Sequence, residues 1–95
     1  MENRYCIIRC ESSGVFAGVI KKRNGREVLA TDVRNLWYWE GAASCVQLAN
    51  DGVKEPDDCK FSQVAKEILL LDAIEIIPCT ENAERSLKAV RVWEA

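Results

Sequence analysis

The dipeptide Asn24-Gly25 lies between two strand-like apolar runs, and it constrains the fold more than any other feature of the chain. Asn-Gly supplies the positive-φ residues that a two-residue hairpin turn requires. It predicts a strand from Gly14 to Arg23 returning as another from Arg26 to Val33. Arg23 then faces Arg26, Lys22 faces Glu27 and Ile20 faces Leu29. In that register Phe16, Ile20, Leu29 and Val33 share one face, while Val15, Ala17, Val19, Val28 and Ala30 share the other. A hairpin apolar on both faces must be covered on both. A chain of 95 residues buries at most roughly two-thirds of its unfolded surface, so a second copy is the expected cover for one face. The sequence therefore predicts a homo-oligomer.

The remaining elements fall around this hairpin. Arg4 to Cys10 alternates as a strand, with Cys6, Ile8 and Cys10 on one face and Tyr5, Ile7 and Arg9 on the other. Leu36 to Trp39 reads as a fourth strand. Ser44 followed by Gln47 forms a capping box for a short helix that ends near Asn50-Asp51-Gly52. Residues 53–61 read as a loop. Val64 to Leu71 and Ala73 to Ile77 are strand-like, with a helix over 66–73 as the alternative for the first. Thr80 caps a last helix whose inner face is Ala83, Leu87 and Val90, supported by the four-apart pairs Glu81–Arg85 and Glu84–Lys88. The expected fold is a single compact α+β domain over 1–95, mostly antiparallel β-sheet with a central β-hairpin and two short helices.

Composition narrows the function. A net charge of −2 gives no general field for polyanions, so strong nucleic-acid binding is not expected. No apolar run reaches the length of a membrane span. Histidine is absent, which removes Ser-His and Cys-His nucleophile pairs and the usual base near neutral pH. The five cysteines include no CxxC pair and read as reduced, small hydrophobes. Asp51, Glu55, Asp57 and Asp58 lack EF-hand spacing. No cofactor or metal is implied, and a binding protein is expected rather than an enzyme.

The run from Asn35 to Ser44 holds Trp37, Tyr38 and Trp39, two of the three tryptophans, with Arg34 directly before it. Four large side chains in a row cannot all enter one core if strand residues alternate. Alternation puts Trp37 and Trp39 on one face, as the core candidates, and Arg34, Leu36 and Tyr38 on the other. Rings that stack and cations that hold phosphate suit a nucleotide-like ligand. Arg9, Arg34, Trp37, Tyr38, Trp39 and Lys60 are the candidate binding residues. Lys60 follows Cys59, whose thiol a neighbouring ammonium would acidify, and Phe61 reads as a core anchor. The small residues in Gly14-Val15-Phe16-Ala17-Gly18 suggest close packing against a second subunit.

Arg9, Gly14-Val15-Phe16-Ala17-Gly18, Gly25-Arg26-Glu27-Val28, Leu36-Trp37-Tyr38-Trp39, Gly41-Ala42-Ala43-Ser44, Cys59-Lys60-Phe61, Glu75-Ile76-Ile77-Pro78 and Val92-Trp93 together resemble a family of small phage and prophage proteins. That resemblance implies a phage protein acting in the cytoplasm of the infected bacterial host. By analogy of design it suggests an oligomeric, non-enzymatic sponge that sequesters a nucleotide signal of bacterial immunity. The alternative is an interaction protein that inhibits a host protein through the same aromatic surface. The third reading is a small nucleotide hydrolase using Asp32, Glu40 or Lys60.

Overall fold

The computed structural model describes residues 1–94. Its six strands are β1 (Tyr5–Cys10), β2 (Val15–Asn24), β3 (Glu27–Tyr38), β4 (Lys60–Phe61), β5 (Ala65–Leu70) and β6 (Ala73–Pro78). Its helices are α1 (Cys45–Asp51) and α2 (Glu81–Ala89). The strands form one antiparallel sheet in the order β4-β3-β2-β1-β6, with β5 also paired to β3. The fold is α+β and mostly antiparallel sheet, as the periodicities predict.

The hairpin forms one residue away from its expected register. Asn24 pairs with Glu27, Arg23 with Val28 and Lys22 with Leu29, so the turn is Gly25-Arg26 rather than Asn24-Gly25. Only Gly25 has a positive φ, of 62°, which suits a turn with glycine at its first central position. A bulge beyond the turn changes which residues face inward: the register slips by one between Ile20 and Lys22, so that Ile20 meets Ala30 and not Leu29. Val28 and Ala30 join Phe16, Ile20 and Val33 in one core, and Leu29 is left half-buried outside.

The expected third and fourth strands are a single strand of 12 residues. A bulge keeps it continuous. Asp32 takes φ 48°, a left-handed conformation Asp tolerates better than most residues. Val33 then lies where a Cβ on Gly18 would stand 2.6 Å from its own Cβ. The close approach that Gly18 permits is thus to this chain's own β3 and not to a second subunit.

Both faces of the hairpin are covered within one chain. The sheet curls, and β5 on one flank leads directly into β6 on the other through Leu71-Asp72. Ala73 N–H donates to the Arg26 carbonyl oxygen at 3.0 Å and ties β6 back to the hairpin tip. The concave core holds Cys6, Ile8, Phe16, Ile20, Val28 and Val33. Against the convex face pack α1 and α2, burying Tyr5, Ile7, Leu36, Leu48, Phe61 and Leu87. The two-faced hairpin therefore gives no reason for a second copy, because curling and the helices supply both covers.

Local signals placed the helices well. Ser44 Oγ accepts from Gln47 N–H at 3.1 Å, while Gln47 Oε1 accepts from Ala43 N–H at 2.8 Å. Thr80 Oγ1 accepts from Ala83 N–H at 3.1 Å. In α2 the Lys88–Glu84 pair forms at 2.6 Å, whereas Arg85 turns to Asn82 instead of Glu81. Residues 66–73 hold no helix. Among the described residues no helix is long and apolar enough to cross a membrane.

Candidate functional site at the end of β3

Strand β3 outruns its neighbours. Its pairing with β2 reaches Asn35 and its pairing with β5 covers residues 28–33. Beyond these it meets only the two-residue β4. There Leu36 pairs with Phe61 and Tyr38 with Lys60, so two steps along β3 match one along β4 and Trp37 is the extra residue of a bulge. A bulge breaks alternation and re-aims side chains. Trp37 and Tyr38, expected on opposite faces, both turn towards Lys60.

The result is a group of rings about one ammonium. Lys60 Nζ stands 5.7 Å from the Trp37 ring centroid, 5.8 Å from that of Tyr38 and 5.2 Å from that of Trp93. All are within cation–π range, about 6 Å. Trp37 and Trp93 touch at 4.7 Å with an interplanar angle of 49°. Trp93 is brought there by the tail: Val92 bridges Phe61 in parallel, and Trp93 N–H donates to the Phe61 carbonyl oxygen at 2.9 Å. The rings remain open to solvent, with Trp37 at 63%, Tyr38 at 46% and Trp93 at 46% exposure. The Tyr38 hydroxyl donates to the Glu40 carboxylate, which holds that phenol's pKa above its ordinary value. A cleft of about 120 Å³ beside Trp93 is lined in part by Arg91, Asp57 and Cys59.

The candidates divide sharply. Trp37, Tyr38 and Lys60 come together, although alternation separates Trp37 from Tyr38, and Trp93 joins them. Trp93 is not among the sequence candidates, although Val92-Trp93 belongs to the pattern that carries the resemblance. Trp39 turns back and packs, half-buried, on the helix-side core. Arg9 is on β1, with β2 and β3 between it and β4, and its Nε lies 3.4 Å from Glu75 Oε1.

Arg34 is a correction. It is 2% exposed, and its guanidinium fastens the end of α2. Nε donates to the Ser62 carbonyl oxygen at 3.0 Å, and Nη1 donates to those of Leu87 and Val90 at 3.2 and 2.8 Å. Its Cζ lies 5.2 Å from the centre of the Phe61 ring. A cation at a helix C-terminus meets the unpaired carbonyls and the negative end of the dipole. Arg34 is therefore a structural clamp and cannot reach a ligand. Face assignment by alternation is reversed here, with arginine inside and Trp37 outside.

The neighbouring chemistry is also changed by burial. Desolvation raises the Cys59 thiol above its ordinary pKa, so Lys60 does not make it an acidic nucleophile. Cys79 is pushed up to about 12, again mainly by burial. Among the described residues no three His, Cys, Asp or Glu side chains gather as a metal site. Asp32, named for the hydrolase reading, forms the β3 bulge with its backbone and leaves its side chain exposed. Glu40 is engaged by Tyr38.

No curated protein and no solved structure matches the chain. A family model does, over residues 3–87, a span that contains Trp37, Tyr38 and Lys60 but stops short of Trp93. By that match the protein belongs to the family described as domain of unknown function DUF6948.

Proposed function

We propose that this protein works by binding rather than by catalysis, and that Trp37, Tyr38, Lys60 and Trp93 are its contact surface for a protein partner. One observation carries the reading: three aromatic rings stay between 46% and 63% exposed on a domain this small. Rings of this kind bury large area at low entropic cost and dominate the energy of protein interfaces. The patch is open to solvent, and the cleft beside Trp93 measures only about 120 Å³. Small-molecule sites generally surround about 70–90% of their ligand, which favours a protein surface as the occupant. The role is that of an interaction protein, phage-encoded and acting in the host cytoplasm, that restrains a host protein.

The placement of Lys60 among three rings supports a second reading. A base stacked on the outer face of Trp37 would bring its phosphates to Lys60, with Arg91 beside Trp93. Sequestration of a nucleotide signal would then need a second copy to close over the ligand. The test exposes immobilised protein, and its Trp37→Ala/Trp93→Ala variant, to bacterial lysate and separately to a nucleotide mixture. Retention of one host protein by the native surface alone supports the first reading. Nucleotide lost from solution and recovered intact on heating transfers support to the second, and nucleotide of altered mass indicates hydrolysis. Identical behaviour of the native protein and the variant removes the patch from both readings.

A further inference from the structure

The other end of the sheet carries a second, independent feature. Strand β6 pairs with β1 and, among the described residues, has no strand on its outer side. Natural edge strands are commonly blunted by charge, proline or a cover. The run Ala-Ile-Glu-Ile-Ile-Pro carries one charge, and its proline stands at the end of the strand. A groove of about 620 Å³ lies alongside, lined by residues 73–76, by Arg23, Gly25 and Arg26 of the hairpin tip, and by Met1. Four consecutive residues of a strand present both of its faces, so the groove follows the backbone edge rather than one side of the sheet. The edge already acts as a ladder at its first residue, where Ala73 N–H donates to the Arg26 carbonyl oxygen at 3.0 Å.

The charges around the groove are unevenly compensated. Glu75 is 3.4 Å from Arg9, and Arg26 is paired with Glu11. Arg23 uses Nε on the Gly25 carbonyl oxygen at 2.9 Å. It has no carboxylate within salt-bridge distance among the described residues, and neither do the adjacent Lys21 and Lys22. Ile74 is 46% exposed on the same wall. The free backbone edge, the apolar wall and the uncompensated cationic tip act on one ligand chemistry. We propose that β6 is a docking edge for an extended peptide of alternating acidic and aliphatic residues, which adds as a further strand with a carboxylate on Arg23.

The experiment is an NMR titration of the isotope-labelled native protein with a short peptide alternating glutamate and valine. Saturable shifts of the amides of residues 73–77 are expected. Binding should weaken by roughly tenfold or more for a lysine–valine peptide and for Arg23→Glu, because like charges then meet. A glutamate–valine peptide N-methylated on alternate residues should lose binding as well, since it cannot complete the ladder while the protein is unchanged. Absence of saturable shifts overturns the proposal, as does equal binding of the N-methylated or the lysine peptide. Shifts confined to Trp37, Tyr38 and Trp93 would also overturn it. Concentration-dependent shifts at 73–77 without peptide would assign the edge to a second copy instead.

Discussion

Replacing Arg34 with alanine should be among the most damaging single changes in this protein, although arginines are usually surface residues. Its guanidinium makes three hydrogen bonds to carbonyl oxygens, from Ser62, Leu87 and Val90, at 2.8–3.2 Å. Hydrogen bonds involving a charged group contribute about 1.5–3 kcal/mol each, but these share one side chain and do not add. Nη2 makes no hydrogen bond among the described residues while buried, so the native protein already carries a desolvation cost that the variant escapes. Leaving a buried acceptor unsatisfied costs roughly 1–3 kcal/mol, and with three carbonyls released and the Nη2 cost relieved the expected loss is about 3 kcal/mol. Domains of this size are stable by only about 5–15 kcal/mol, and each kcal/mol lowers the melting temperature by roughly 4–8 °C. Urea unfolding followed by circular dichroism should show the loss, and the amides at the end of α2 should exchange faster. Arg34→Lys should fall between, because one ammonium cannot span carbonyls reached from both Nε and Nη1. A loss for Arg34→Ala below about 1 kcal/mol, the range of an ordinary surface substitution, would refute the clamp.

Trp37→Ala should leave stability within about 1 kcal/mol, the range of exposed sites, while abolishing partner retention; severe unfolding of this variant would return Trp37 to the core. The Asp72 carboxylate accepts from Ser12 N–H and Oγ at 2.7 and 3.0 Å, and from Ser13 N–H and Oγ at 3.3 and 2.7 Å, which holds its carboxyl well below the usual range. A depressed folded pKa contributes stability above the unfolded value, about 4, and loses it as pH falls through the folded one. Asp72→Asn should therefore be less stable than the native protein at neutral pH, with the gap narrowing below about pH 4 in acid titrations of unfolding; a gap independent of pH would reject the carboxylate as its source. The melting temperature should not depend on protein concentration, because both faces of the hairpin are covered by the same chain. A rise with concentration would show that a second copy is needed for folding.

Much of the fold was legible because its signals are local. Ser44, Gln47 and Thr80 fixed the helix starts, and Gly52 with φ 74° fixed the end of α1. Period-two alternation gave both faces of β1, and the helical period placed Ala83, Leu87 and Val90 inward. The failures of register each involve one extra residue. The bulge between Ile20 and Lys22 exchanged Leu29 for Val28 and Ala30, and the bulges at Asp32 and Trp37 reset the phase of β3 twice. Alternation holds only between bulges, and nothing in the sequence announces an aspartate in the left-handed region. The inward place of Arg34 depends on the end of α2, more than fifty residues away in the chain. Sheet curvature was equally invisible. It arises from β5 and β6 joining opposite flanks, and the oligomer argument failed because it treated the hairpin as flat.

Those same irregularities account for the aromatic patch. The helices cover the convex face as far as Leu36, and the concave core closes at Val33. Beyond them β3 continues for two residues with only β4 beside it, so side chains at 37 and 38 pass outside both covers. Regular alternation would send Trp37 and Tyr38 to opposite sides of that projection. The bulge turns both to Lys60, and the tail brings Trp93 from the far end of the chain to the same ammonium. A two-residue strand and a one-pair bridge are little structure with which to hold three large rings in water. Burying one such ring fully in the core would stabilise the domain by about 1.5–3 kcal/mol. Folding alone gives no advantage to rings kept outside, and under the proposed function that forgone stability would be recovered when a partner covers them.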